Sequence, residues 1–369
     1  MTAPENFSRS RRAVGLWLLA VALVILAMVT IGGLTRLTGS GLSITQWQPI
    51  MGAIPPLNDA EWADAFAKYQ RIPQYIVENR GMTLEGFKGI FWWEWTHRLL
   101  GRLLGVLFIV PFLWFAGVGA IRRSDWPRML VLFLLGGLQG FIGWWMVASG
   151  LEVRTSVSQY RLAIHLGTAL LLLVAILWIA LEYLRAPAAE GARENGLKST
   201  GMSKRATAFA ALVYFQMLLG ALVAGLHAGL IYNTWPDMNG RFLPEDPFFF
   251  RPWWINFFEN PGLAQFDHRI GAYLVAAFAV WIYAQGVRLS GHAKTSAKAV
   301  AVIATFQIGL GITTLLLQAP EWLAAAHQVT AALLLCAGVW HAFELRIWAP
   351  NAARPRQGSH ASNPGTGLP

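Results

Sequence analysis

An all-α integral membrane protein of eight transmembrane helices, built as two four-helix bundles in parallel repeat, is the fold class this sequence predicts. Three observations carry the prediction. Of the 369 residues, 55% are hydrophobic and only 13% charged, whereas soluble globular chains carry roughly a quarter charged residues. Eight stretches are long and apolar enough to cross a hydrocarbon core of ~30 Å, which takes ~20 helical residues. The first four of these stretches also align with the last four.

The first stretch, at about 14–33, follows Arg9, Arg11 and Arg12 and so begins like a secretory leader. It continues to Gly33 without an A-x-A-like cleavage site, too long for a leader's apolar region, and is read as helix 1. A long outer loop at about 34–94 leads to 98–119, and short connections give 129–149 and 162–183. Beyond a linker come 207–228, a second long outer loop at about 229–266, then 269–289, 299–318 and 323–345. Soluble core helices are shorter and keep a polar stripe. The expected organisation is a cytoplasmic tail at 1–13, an N-terminal half at 14–185, a cytoplasmic linker at 186–205, a C-terminal half at 206–347 and a tail at 348–369. From Asn351 that tail is rich in Pro, Gly, Ser and Asn and reads as disordered.

The net charge of +10 does not point to nucleic acid, because the basic residues sit at helix ends and not in an aromatic-interleaved patch. With the N-terminus inside, 17 of the 29 Lys and Arg fall on inner tails and short inner connections, the segments that the positive-inside rule weighs. The other 12 lie largely in the two long outer loops, so both termini are expected in the cytoplasm. Cys336 is the sole cysteine. No intramolecular disulfide, thiolate-held Fe–S cluster or C-x-x-C-H haem attachment can form.

The chain aligns with itself across the linker. Gly32, Gly41 and Trp47 fall on Gly220, Gly229 and Trp235 at an offset of 188, and His97-Arg98 falls on His268-Arg269 at 171. Gln139 and Gly143 fall on Gln307 and Gly311 at 168, and His165 and Thr168 on His327 and Thr330 at 162. Four blocks in one order indicate duplication. Each half has an even number of crossings, so the repeats are parallel, unlike the inverted repeats of many transporters.

Four of the eight histidines, His97, His165, His268 and His327, begin helices 2, 4, 6 and 8 at equivalent places. All would lie at one depth inside the outer face. A lone membrane histidine is often just an interhelical hydrogen bond, but two repeated pairs at membrane depth point to a functional site. Imidazoles from two facing helices can take both axial positions of a haem iron held without a covalent link. Zinc usually asks for more ligands, and residue types alone leave copper open. His227, His292, His341 and His360 lack such partners and are read as non-ligands. Arg98 and Arg269, each next to a candidate ligand, either snorkel to headgroups or pair with haem propionates.

The residues that carry these features resemble the haem A synthase family, in particular its alphaproteobacterial and mitochondrial kind. The resemblance rests on GGLTRLTGSGLSITQWQPIMGAIPP (32–56), EWTHR (94–98), the His165 helix, LIYNTWPDMNGRFLPE (230–245), DHR (267–269) and AAHQ (325–328). It spans about 13–347. It implies an oxidoreductase that converts a methyl group of haem O to a formyl group, giving haem A for cytochrome c oxidase. It implies haem b as cofactor on His268 and His327, and His97 and His165 at the substrate haem; the repeat itself places Arg269 beside the first and Arg98 beside the second. It further implies a bacterial inner-membrane location, haem O synthase and oxidase-assembly factors as partners, and leaves room for a homo-oligomer.

Glu94 sits three residues before His97, where the second half has Gln265. At i, i+3 on a helix, acid and ligand share neighbouring surface. The bland reading is an acid favoured near a helix N-terminus; the functional one, which the family shares, is a carboxylate that moves protons or positions a polar intermediate. A diheme b-type cytochrome that only transfers electrons would need the same four histidines but not Glu94. A transporter would need polar groups at mid-membrane, which are sparse.

Overall fold

The computed structural model describes residues 3–186, 188 and 201–348, with side chains from Ser10 onward. Most of the expected linker, and all of the expected disordered tail beyond Trp348, lie outside the described residues. Among the described residues eight long helices form: α1 (Ala3–Leu37), α2 (Leu84–Gly117), α3 (Trp126–Ala148), α4 (Gln159–Leu184), α5 (Gly201–Gly225), α6 (Pro261–Gly286), α7 (Gly291–Leu316) and α8 (Glu321–Ile347). Among the described residues there is no strand, only one bridge between Met238 and Arg241. Seven of the eight are long and apolar enough to cross a membrane. The exception is α6, 26 residues long like α7, whose first turns carry Gln265, Asp267, His268 and Arg269.

Neighbour relations explain which helices are inside. Helix α1 packs on α2 and α4, and α3 on α2 and α4, which closes one ring; α5 packs on α6 and α8, and α7 on α6 and α8, which closes another. The rings meet through α4 against α5, α1 against α8 and α4 against α8. Accordingly 39–50% of the most apolar stretch of α1, α4, α5 and α8 is buried, against 6–11% for α2, α3 and α7. The outer helices turn Val106, Leu113, Leu130, Leu134, Val302 and Phe306 outward. In water that surface would be an aggregation hazard; against lipid tails it is ordinary, because helices satisfy their own backbone there.

The first outer loop departs from the plain loop expected at 34–94. It holds short helices at Asp59–Tyr69 and Pro73–Val77. Asn58 caps the first of these by accepting from Glu61 N, while Glu61 accepts from Leu57 N and from the Asn58 amide, a reciprocal cap. Trp62, Tyr69, Ile72, Phe87 and Phe91 make a small core of their own with Leu42 and Val147, and burial raises the pKa of the Tyr69 phenol. This core draws α2 outward to begin at Leu84, capped by Thr83. His97 consequently lies well inside its helix and not near its start.

At the end opposite the histidines, Arg128 pairs with Glu182 at 2.9 Å, and Tyr183 donates to Asp125 at 2.8 Å. There Arg185 of α4 also reaches Glu344 of α8 at 3.2 Å, joining the two rings.

Candidate functional site

Each of the four repeated histidines lies against a glycine of the helix before it. A Cβ added at Gly32 would stand 2.9 Å from His97 Cε1, at Gly143 2.9 Å from His165, at Gly220 3.1 Å from His268 and at Gly311 2.8 Å from His327. Any larger residue would push the ring away. These are the glycines of the self-alignment, which gives them a physical reason: four equivalent seats for four imidazoles.

The second ring brings His268 and His327 together with their rings nearly perpendicular, centroids 6.4 Å apart and planes at 81°. Two metal–nitrogen bonds of about 2 Å each, plus the ring radii, span about this distance, so one haem iron fits between them. In the first ring, Gly32 and Gly143 seat His97 and His165 as Gly220 and Gly311 seat the second pair. Haem iron asks two ligands of the protein, which suits pairs; among the described residues no three His, Cys, Asp or Glu side chains converge as a metal-ion site.

Behind the rings stand glutamines. Gln139 Nε2 lies 3.0 Å from His165 Nδ1 and donates to the His165 carbonyl at 2.7 Å, and Gln216 makes the same two contacts with His268 at 3.0 and 2.7 Å. Gln307 Nε2 stands 3.4 Å from His327 Nε2. Outer partners of this kind fix ring orientation in metal sites. His97 and His327 differ from the other two: the Nδ1 of each is buried without a partner, and for His97 the position aligned with Gln216 holds Met28.

Glu94 and Arg98 form a clamp. Glu94, 3% exposed, accepts from Ser43 Oγ at 2.8 Å, from Ile44 N at 2.7 Å and from Arg98 Nε at 3.0 Å. Arg98 also donates to the carbonyls of Ile44 and Gln46, and Arg102 to those of Gln48 and Pro49. The strap 44–49 is thereby held over the first ring, with Trp47 stacked on Trp144 at 5.0 Å.

The second ring repeats the clamp with one change. Arg269 donates to Tyr232 O at 3.0 Å and Asp237 O at 2.7 Å, while the Gln265 amide donates to Ala228 O and Tyr232 O. Tyr232 is the residue aligned with Ile44. Without a carboxylate partner, Arg269 Nε is buried and unpaired. Such an orphaned donor fits an acidic group such as a haem propionate. The Asp237 carboxyl is held below the usual range by the Thr234 hydroxyl, the Gly240 N–H and Arg269.

Of the other histidines, His341 is buried with its Nδ1 2.9 Å from Ser296 Oγ. His227 caps the turn after α5 at φ +53°, and its aligned partner Gly39 lies at φ +66°, so the repeat extends to the backbone. Burial lowers the pKa of His227. The glycine seats, Gln216, and the loop donors Ser43 and Ile44 are functional candidates that single-residue reading missed. The repeated glycines were the available signal for the seats.

Fold and site define a multi-span membrane protein whose two helix rings each carry a pair of glycine-seated histidines. Over residues 15–339 the chain matches the cytochrome oxidase assembly protein family. It is 46% identical over 348 residues to the heme A synthase of Parvibaculum lavamentivorans, spanning 94% of this chain and 98% of that protein. It is 51% identical over 342 residues to the heme A synthase of Allorhizobium ampelinum (91% and 92%), and 50% over 330 residues to that of Rhizobium rhizogenes (88% of each). The chain belongs to the cytochrome oxidase assembly protein family.

Proposed function

We propose that this chain is a haem A synthase, an oxidoreductase that takes a methyl group of haem O to a formyl group. The observation that carries this reading is the asymmetry between two otherwise matching histidine sites. In the first ring a carboxylate, Glu94, saturates the arginine beside the pair; in the second an amide, Gln265, leaves Arg269 Nε free. We assign His268, His327 and Arg269 to cofactor haem b, and His97, His165 and Arg98 to the substrate haem. The two rings would then be duplicated halves, 14–185 and 206–347, with separate tasks.

Bound in these sites, haem b would supply one-electron exchange and haem O the methyl group to be oxidised. The chain supplies the rest. Gly220 and Gly311 let the second pair approach one iron, and Gln216 keeps His268 Nδ1 engaged so that Nε2 faces inward. Strap 44–49, gripped by Arg98 and Arg102, covers the first pair and limits water there. Glu94 is the acid one helical turn from His97, and a proton passed through it would travel by Ser43 Oγ, which it already holds at 2.8 Å. Of the two residues that would hold the substrate haem, His165 has an orienting amide in Gln139 and His97 has none, so His97 is the less constrained.

We place the chain in the bacterial inner membrane with eight crossings and both termini in the cytoplasm. Haem O synthase and oxidase-assembly factors are its expected partners, and self-association is compatible with the exposed outer helices. The direct test is to express the protein with a haem O supply and chromatograph the extracted pigment. Haem A and hydroxylated haem O are the expected products; haem b alone would mean a plain b-type cytochrome. In the same assay, His268→Ala or His327→Ala should deplete haem b, and His97→Ala or His165→Ala should stop conversion while leaving most of it. Equal loss of haem b from all four would sink the division of labour.

A further inference from the structure

The seam between the two rings carries one polar contact that its counterpart lacks. Gln328, next to His327 on α8, donates from Nε2 to the carbonyl of Val29 on α1 at 2.7 Å. Its carboxamide lies flat on Gly33: a Cβ there would stand 2.6 Å from Oε1 and 2.8 Å from Nε2. Gly33 in turn follows Gly32, the seat of His97. One amide therefore connects the helix segment that bears a ligand of the second ring to the segment that seats a ligand of the first.

In a parallel repeat, the α8–α1 seam has an equivalent in the α4–α5 seam. There Leu166, which follows His165, stands in for Gln328, and Ala221 for Gly33. Leu166 packs in the apolar core, and Gly167 beside it faces Tyr214 and Leu218. An alkyl side chain is thus sufficient to close a seam of this shape. A carboxamide at membrane depth is the costlier choice, since its polar atoms need partners that lipid cannot give, and interhelical hydrogen bonds contribute only modestly to membrane-protein stability. What such a group does well is fix register, as a single buried amide does in coiled coils.

We propose that Gln328 is a positioning residue: its amide, seated on Gly33, pins α8 to α1 at the histidine layer and so sets the separation between the first and second haem sites. The proposal rests on the two-haem reading above. Spacing matters there because a one-electron exchange between two irons, one giving the electron the other takes, falls steeply with distance.

The test uses the purified full-length protein carrying its haem, comparing Gln328→Leu (the residue of the other seam), Gly33→Ala (which displaces the amide) and the double variant. Both single variants should keep wild-type haem b content and convert haem O to haem A at least ~10-fold more slowly. Electron paramagnetic resonance of the haem O-loaded protein should show weaker iron–iron interaction than in wild type. The double variant should be no slower than either single one, because the two changes remove one contact. Wild-type rates in both single variants, additive losses in the double, or loss of haem b from either would overturn the pin. His268→Ala serves as the control on the underlying reading: if it retains haem b, the two-site assignment fails, whereas haem b loss there together with an unaffected Gln328→Leu fails the pin alone.

Discussion

Glu94 shows how much a carboxylate's neighbours constrain what it can do. It accepts from two loop donors and from an arginine one turn on, with 4% of its side chain exposed against 17% for Arg98. The duplicated half holds its arginine and loop with an amide at Gln265, so the fold itself does not require the charge. Glu94→Gln should therefore leave the protein inserted with haem b bound, while haem A formation falls by the ~10²–10⁴ that loss of an acid–base group costs. Ser43→Ala, which removes one donor and no charge, should fall much less. A mere dipole partner would contribute only ~0.3–1 kcal/mol of helix stability; near-normal conversion by Glu94→Gln at matched protein levels would put the carboxylate in that class.

At the scale of the helix pair, the glycine seats decide how closely two helices approach. Gly311 lies against the His327 ring with a would-be Cβ at 2.8 Å, yet Gly309, two residues away on the same helix, has nothing within 4 Å of its own. Gly311→Ala should tilt the ring and release haem b, and Gly309→Ala should not, as read by haem content after purification; equal retention in both would remove the seat from the site. These seats were legible in the sequence only as glycines recurring with the histidines, because self-alignment reports that a position repeats and not what it touches. Gln216 was not legible at all, since its aligned residue is Met28 and the repeat is broken there. Nor was the contact of Gln328 with Val29, which joins residues 299 apart in the chain. The short helices of the outer loop are not legible because its core forms between Trp62, Tyr69 and Phe87, in amphipathic pieces too short for a periodic signal. The histidine pairs and the Glu94/Gln265 exchange, by contrast, were readable because each lies within a few residues of a strong helical block.

For the molecule as a whole, the open element is α6, which composition alone does not mark as a membrane helix. Geometry constrains it more tightly than hydropathy does. Helix α6 joins α7 through the short turn at 287–290, and α7 joins α8 through 317–320. If α6 lay on the surface, α7 and α8 would cross in the reverse sense, and His327 would end at the face away from His268. Their rings are 6.4 Å apart, which supports our proposal that α6 crosses as well, with its N-terminal turns beside those of α8. Its polar first turns are accommodated because Gln265 and Arg269 bond loop carbonyls and Gln216 holds His268. A reporter fused after Arg346 should consequently be cytoplasmic and one inserted near Asn239 periplasmic, with a third after Arg288 cytoplasmic. The first two on one side, or the third in the periplasm, would separate the four histidines between two faces and with them the case for two haem sites at one level.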